Sequence, residues 1–272
     1  MSILRISPVK RLVKSQFRWL CLLSLSLTLL LWIGHMVKRN TFHVPLHNRG
    51  LSGYARISES RKDQVLDIYC DRCALVSSSG QMLGSGAGEE IDTNECVIRM
   101  NNAPTVGYET DVGGRTSVRV VSHTSRNMRQ DGKGRVFNAL LKIAKKYPEA
   151  KLYAVTSEKI QYCDNVFQNE TGKNRMKTGA FLSTGFFTMI LALDMCDSIN
   201  VYGMIDNNYC SRANHSVVPY HYYESKRINE CRMYKVHENT KRGGHRFITE
   251  KAIYAKWATR HKMEFYHPSW KL

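Results

Sequence analysis

Two histidines and two hydroxyl-rich segments are the groups in this chain best suited to chemistry near neutral pH. His221 and His245 carry imidazoles that can give or take a proton in a reaction. Ser77, Ser78, Ser79 and Gly80 follow one apolar run, and Ser183, Thr184 and Gly185 precede another. Such segments offer backbone N–H groups and hydroxyls to an anionic ligand, and the second falls where a helix should begin. The same residue types also make ordinary tight turns and helix caps. Glu250 stands five positions after His245, about 140° around a helix, so the two do not form a simple dyad. Metal chemistry has little support. There is no Asp-x-Asp pair, the ten histidines lack zinc spacing, and Cys70 and Cys73 form one CxxC without a second pair. The glycine-rich run from Gly84 to Gly88 matches neither a dinucleotide fingerprint nor a P-loop.

These residues need a scaffold. Short apolar runs at 73–76, 97–100, 117–121, 151–155 and 199–203 read as strands. Residues 137–146, 186–196 and 246–261 have helical spacing, the second apolar enough to be buried. Strands alternating with helices predict an α/β domain with a largely parallel sheet. Ligands bind beyond the carboxyl ends of such strands, which draws attention to the serine-glycine loop after Val76 and to Ser183–Gly185.

The 272 residues leave room for one sizeable domain plus accessory segments. The net charge is +17, but eight basic residues and no acid occur in 1–50, so nearly half the excess flanks one hydrophobic segment. Without a nucleic-acid-binding motif, the remaining charge reads as a solvated basic surface or as attraction for anionic substrates. The apolar segment 19–37 has the length of a membrane-crossing helix. Five basic residues precede it, which keeps the N-terminus cytoplasmic. The expected organisation is a cytoplasmic tail (1–18), an uncleaved signal-anchor (19–37), a polar stem (38–66) and a lumenal domain (67–272). Seven cysteines and two glycosylation sequons, at Asn169 and Asn214, fall on that lumenal side.

Four stretches are now recognisable. Residues 73–113, with Ser78, Arg99, Asn101 and Asp111, resemble the large sialylmotif of animal sialyltransferases. Residues 182–203, with Ser183, Thr184, Gly185 and Cys196, resemble the small one. His221 to Glu224 resembles the third motif, and His245 with Glu250 matches the very small motif. They stand in the family's order and, with the spaces between them, cover roughly residues 70–250. Further stretches around Ser122, Lys173, Met204, Tyr220, Lys251 and Trp270 are similar to the N-acetylgalactosamine α2,6-sialyltransferases, in particular the branch acting on α2,3-sialylated Gal-β1,3-GalNAc.

The resemblance implies a Rossmann-like α/β domain, a GT-A variant with a mainly parallel sheet flanked by helices, held in the Golgi membrane by one transmembrane helix. It implies inverting, metal-independent transfer of sialic acid from CMP-sialic acid, a co-substrate rather than a cofactor, to the 6-hydroxyl of GalNAc in an O-glycan or glycolipid. His245 becomes the general base, and His221 the donor or acid at the leaving phosphate. Ser78, Asn101, Ser122, Ser183, Thr184 and Gly185 map onto the donor site, with Ser122 standing where some relatives have asparagine. Glu250 and Tyr222 stay open between structural and acceptor-facing roles. The resemblance also suggests a Cys73–Cys196 disulfide, which would stabilise by about 4–5 kcal/mol in the chain-entropy model. Cys210 and Cys231 flank the third motif and form a second candidate pair. Cys70 with Cys163 is a third, leaving Cys96 as a buried thiol. In one place the chain departs from the family: after Ser125 it lacks roughly two to three dozen residues. A same-fold secretory-pathway binding protein with impaired or no turnover is therefore the alternative to an active enzyme.

Overall fold

A computed structural model of the chain describes residues 53–56, 66, 68–121, 146, 151–224 and 228–272. The chain divides into two units, Met1–Leu46 and His47–Leu272, and the described residues belong to the second. The expected span 19–37, Ser122, the departure after Ser125 and the helix over 137–146 apart from Lys146 lie outside them. Among the described residues no helix is long and apolar enough to cross a membrane.

Seven strands form one sheet: β1 (Tyr54–Arg56), β2 (Cys70–Val76), β3 (Cys96–Met100), β4 (Val118–Val121), β5 (Lys151–Val155), β6 (Cys196–Tyr202) and β7 (Met263–Tyr266). Their order is β1-β5-β4-β3-β2-β6-β7. All neighbours are parallel except β1, which runs antiparallel to β5. β3 and β4 are buried at every position, as parallel strands covered on both faces must be. Two of those positions are arginines, Arg99 and Arg119. Arg99 spends its donors on the carbonyls of Val112, Gly113 and Arg115, and Arg119 on those of Asn101 and Ala103. β1 was not visible in the sequence: residues 54–56 fall within the stretch read as stem, yet they pair in register with β5.

The helices are α1 (Gly88–Asp92), α2 (Glu109–Val112), α3 (Ser157–Thr171), α4 (Arg175–Thr178), α5 (Thr184–Met195), α6 (Glu230–Asn239) and α7 (Phe247–Ala258). α5 is buried at nine of its 12 positions and runs straight into β6 at Cys196. A buried ion pair, Lys159 to Asp194 at 3.0 Å, joins α3 to it. The glycine-rich run is structural. Asp111 accepts the N–H groups of Gly84 and Gly86, and a Cβ on Gly88 would collide with the Glu109 carbonyl at 1.9 Å.

Three disulfides hold the frame: Cys73–Cys196, Cys210–Cys231 and Cys70–Cys96. The last corrects the expected pairing of Cys70 with Cys163. Cys163 is a buried thiol on α3, pushed up to about 12 by burial, and Cys96 is bonded rather than free. In the ladder Cys73 lies opposite Cys96 and Cys70 opposite Cys196, so both bonds run diagonally across β2. The sulfurs of Cys70, Cys73 and Cys96 lie within 4.8 Å of one another, but all three are engaged in disulfides and offer no thiolate to a metal.

β2 lies between β3 and β6. The chain builds outward through β3, β4 and β5, then returns to the other side of β2 with β6 and β7. That reversal is a topological switch point, and the crevice beyond the carboxyl ends of its strands is where this architecture binds ligands.

Candidate active site

Most of the site residues read from the sequence collect beyond those strand ends. Ser77, Ser78 and Ser79 follow β2. The Ser77 N–H donates to the Tyr202 carbonyl at the end of β6, so the loop bridges the switch point. The Ser78 carbonyl accepts the Tyr222 N–H at 3.0 Å, and the Gly80 N–H donates to the Pro219 carbonyl at 2.9 Å. A Cβ on Gly80 would lie 2.4 Å from that same carbonyl oxygen, so only glycine permits this approach of the 219–222 loop.

Asn101 ends β3 in the left-handed region, with φ 47°. Asparagine tolerates this conformation better than most residues, and buried Arg119 holds the Asn101 carbonyl at 3.0 Å. The Asn101 amide reaches the Thr184 hydroxyl at 3.3 Å. The end of β3 and the start of α5 therefore meet at one point. Ser183 caps α5: its hydroxyl accepts the Phe186 N–H at 3.1 Å. A Cβ on Gly185 would press to 3.3 Å from that hydroxyl.

Glu250, on α7, holds Ser183 from behind. Its carboxylate accepts the Ser183 N–H at 2.8 Å and the Ser183 hydroxyl. It is 2% exposed, and burial pushes it up to about 7 against the opposing pull of those hydrogen bonds and of Lys251. Lys251 is itself lowered by burial and sits over the Tyr234 ring at 4.1 Å. Glu230, raised by burial, accepts from the Gln81 amide and the Tyr234 hydroxyl. Behind these loops lies a buried charged layer that sequence reading did not assemble. Glu250 belongs to it, buried and bonded to Ser183. Tyr222 is also buried: it packs on Tyr108 at 4.9 Å and donates its hydroxyl to the Pro104 carbonyl at 2.5 Å.

His245 immediately precedes α7. Its Nδ1 lies 3.0 Å from the Phe181 carbonyl oxygen. A carbonyl can only accept, so Nδ1 carries the proton and Nε2 is the lone-pair nitrogen of the neutral ring. The Phe181 N–H donates to the Gly244 carbonyl, closing a parallel bridge between Phe181 and His245. From α6, His237 Nδ1 accepts the backbone N–H of His245 at 3.2 Å, and the two rings stack at 5.6 Å and 11°. Accepting that bond requires an unprotonated Nδ1, and burial together with Arg246 lowers His237 below the usual histidine value.

His221 Nδ1 faces the Glu224 carboxylate at 2.6 Å, three residues on. The ring lies between Tyr220 and Tyr223, the latter parallel at 5.2 Å. Ring contacts run from His221 through Tyr220 and Phe247 to His245, at 4.2, 5.9 and 5.1 Å. Both histidines thus belong to one aromatic cluster. The His-x-x-Glu spacing of 221 and 224 was legible in the sequence, whereas His237 and Phe181 carried no signal there. Asn169 and Asn214 are exposed, the first in the last turn of α3 and the second in irregular backbone.

The family model of glycosyltransferase family 29 (sialyltransferase) matches residues 40–143 and 129–262. The chain belongs to the sialyltransferase family. It is 47% identical to a human alpha-N-acetyl-neuraminyl-2,3-beta-galactosyl-1,3-N-acetyl-galactosaminide alpha-2,6-sialyltransferase, over 86% of this chain and 84% of the relative. It is 48% identical to the rat alpha-N-acetylgalactosaminide alpha-2,6-sialyltransferase 3, over 80% of this chain and 79% of the relative. A crystal structure of a mammalian sialyltransferase in complex with Gal-beta-1-3GalNAc-ortho-nitrophenol is similar at 23% identity and a TM-score of 0.44, over 72% of this chain and 69% of that one. The human alignment spans 259 positions but uses only 86% of the 272 residues, roughly 234, so about 25 positions face gaps in this sialyltransferase.

Proposed function

We propose that this sialyltransferase moves N-acetylneuraminic acid from CMP-sialic acid to the 6-hydroxyl of GalNAc in sialyl-α2,3-Gal-β1,3-GalNAc, on O-glycoproteins or gangliosides, in the Golgi lumen. The observation that carries the mechanism is the Nδ1–H bond from His245 to the Phe181 carbonyl. It leaves Nε2 as the nitrogen able to take a proton, so His245 serves as general base for the attacking hydroxyl. Attack on the anomeric carbon from the face opposite the nucleotide inverts its configuration. The bond from that carbon to the phosphate oxygen breaks, and CMP leaves with one more negative charge.

Donors without a metal can hold that charge. Ser78, Asn101 and the start of α5 at Thr184 and Gly185 offer hydroxyl, amide and backbone N–H groups. His221, oriented by Glu224, supplies a further donor at the phosphate. Ser122 joins the donor set by resemblance. This set of donors supports metal independence, and rates unaffected by chelator are expected; loss of turnover on chelation, restored by a divalent ion, would contradict it.

Assay of CMP-sialic acid with the sialylated acceptor tests the whole reading. His245→Ala should lower kcat by about 10²–10³-fold with folding retained. Near-normal turnover in that variant would overturn the base assignment. The roughly 25 gapped positions favour examining impaired turnover as the second reading, and restoring the segment after Ser125 in the same assay separates the two.

A further inference from the structure

The rim beside His245 carries cations that pair with no carboxylate among the described residues. α4 is short and ends just before Gly179, whose carbonyl accepts the Gly243 N–H at 2.9 Å. Two residues on, the Phe181 N–H donates to the Gly244 carbonyl at 2.8 Å. These bonds fasten the end of α4, with Lys177, to the loop of Lys241, Arg242, Gly243 and Gly244 that leads into His245. Gly243 and Gly244 both have positive φ, 72° and 68°, and a Cβ on Gly244 would approach the His237 carbonyl to 3.0 Å. The turn is therefore confined to glycine. Arg242 lies three residues from the base, a chain distance of at most about 10 Å.

Lys177, Lys241 and Arg242 are exposed, and among the described residues none makes an ion pair. The nearby acids are committed elsewhere. Asp164 binds Arg175, Glu170 faces Lys256 and Arg260, and Glu224 binds His221. Glu238 accepts the N–H groups of Ile248 and Thr249 and the Thr249 hydroxyl. A rim of one sign next to the proton-accepting group attracts an anion held by the same substrate.

We propose that Lys177, Lys241 and Arg242 form an acceptor subsite for a carboxylate, the one on the sialic acid that the acceptor already carries. This deepens the transfer reading above and rests on it. That carboxylate stands two glycosidic linkages from the 6-hydroxyl, so it projects past the base while the hydroxyl meets Nε2. The donor's carboxylate is the other possible source. The rim, however, lies on α4 and the loop before His245, whereas the donor set lies on the loops after β2 and β3 and at the start of α5. Arg242 adds a planar fork that matches a carboxylate bidentately.

The test uses the full chain in detergent and two acceptors: sialyl-α2,3-Gal-β1,3-GalNAc and its sialic acid methyl ester, which removes the charge and keeps the shape. NMR titration in the presence of CMP measures binding without turnover, and initial rates give KM for both substrates. The unaltered protein should bind the free acid about tenfold more tightly than the ester. Lys177→Gln/Lys241→Gln/Arg242→Gln should lose that preference, with an unchanged KM for CMP-sialic acid and an unchanged melting temperature. Arg242→Gln alone should lose part of it. Equal binding of acid and ester by the unaltered protein, an undiminished preference in the triple variant, or a raised KM for the donor alone would each overturn the subsite. A chain that prefers the acid in titration but transfers nothing refutes the transfer reading and leaves the subsite standing.

Discussion

Replacing Glu250 with glutamine should remove a pH dependence from the stability of this domain. The carboxyl is buried under the donor loop and raised from an ordinary 4.5 to about 7. Between those values the folded protein keeps the proton and the unfolded chain releases it. The stabilisation is fully present below pH 4.5 and is lost as pH rises through about 7. A gap of about 2.5 pH units corresponds to about 3 kcal/mol in total, of which about 2–3 kcal/mol falls between pH 5 and pH 8. Glutamine cannot ionise. It retains an oxygen for the Ser183 N–H and an amide for the Ser183 oxygen, while Lys251 loses the Glu250 charge and keeps those of Glu230 and Glu238.

Urea denaturation of the full chain, followed by tryptophan fluorescence at pH 5, 6, 7 and 8, measures the effect. The difference in unfolding free energy between variant and unaltered protein should move by about 2–3 kcal/mol in favour of Glu250→Gln as pH rises. Parallel curves would refute the reasoning, because they would mean that Glu250 has the same proton affinity folded and unfolded. Glu250→Ala serves as a contrast. It orphans the two Ser183 donors and breaks a buried charged layer, at about 3–5 kcal/mol, and it should raise KM for CMP-sialic acid by freeing the Ser183 cap of α5.

Two other perturbations act on the histidines. His237→Phe keeps the ring stack but loses the acceptor for the His245 N–H; kcat should fall by about tenfold, a loss of ~1–1.5 kcal/mol, with KM for CMP-sialic acid unchanged. His237→Asn places an acceptor oxygen near the lost Nδ1 and should recover most of that rate, so equal losses in the two variants would sink the positioning role. Glu224→Gln removes the carboxylate facing His221 Nδ1 and should lower kcat by about 10–100-fold, read as a change in the pH profile of kcat; an unchanged profile would separate Glu224 from His221 chemistry.

The elements that the sequence made legible are those with an unbroken apolar run. The runs at 73–76, 97–100, 151–155 and 186–196 became β2, β3, β5 and α5 with small shifts at their ends. β1 and β7 were missed because each is short and lies at an edge of the sheet, and three or four residues carry little pattern. α3 and α6 were missed because they bury few side chains and are otherwise charged and polar. The cysteine error has the same root. Cys70 and Cys96 meet only through the register of β2 on β3, and register is a tertiary property. The hydroxyl segments and the two histidines were readable because they stand in stretches that resemble the family's motifs. Their supports were not: Arg119 under Asn101, Glu250 behind Ser183 and His237 beside His245 come from distant parts of the chain, and ordinary surface or core residues would look the same in a sequence.

The same geometry bears on the departure after Ser125. That position falls in the connection from β4 to β5, which are direct neighbours here, with Val118 opposite Lys151 and Val121 opposite Ala154. A parallel pair of strands needs a crossover of a dozen or more residues, and roughly 29 stand between Val121 and Lys151. Shortening such a crossover leaves the ladder from β5 through β7 intact, with each strand still hydrogen-bonded to the next. The contacts that fix Ser78, Asn101, Ser183, His221 and His245 come from β2, β3, α5, α6, α7 and the loops between them. Ser122, mapped to the donor site by resemblance alone, stands in that connection one position beyond β4. We propose that a shorter connection acts at the β4 end of the site, where Ser122 follows the strand. Its signature in the transfer assay is a raised KM for CMP-sialic acid with the His245 pH profile preserved, and restoring the segment should reverse it.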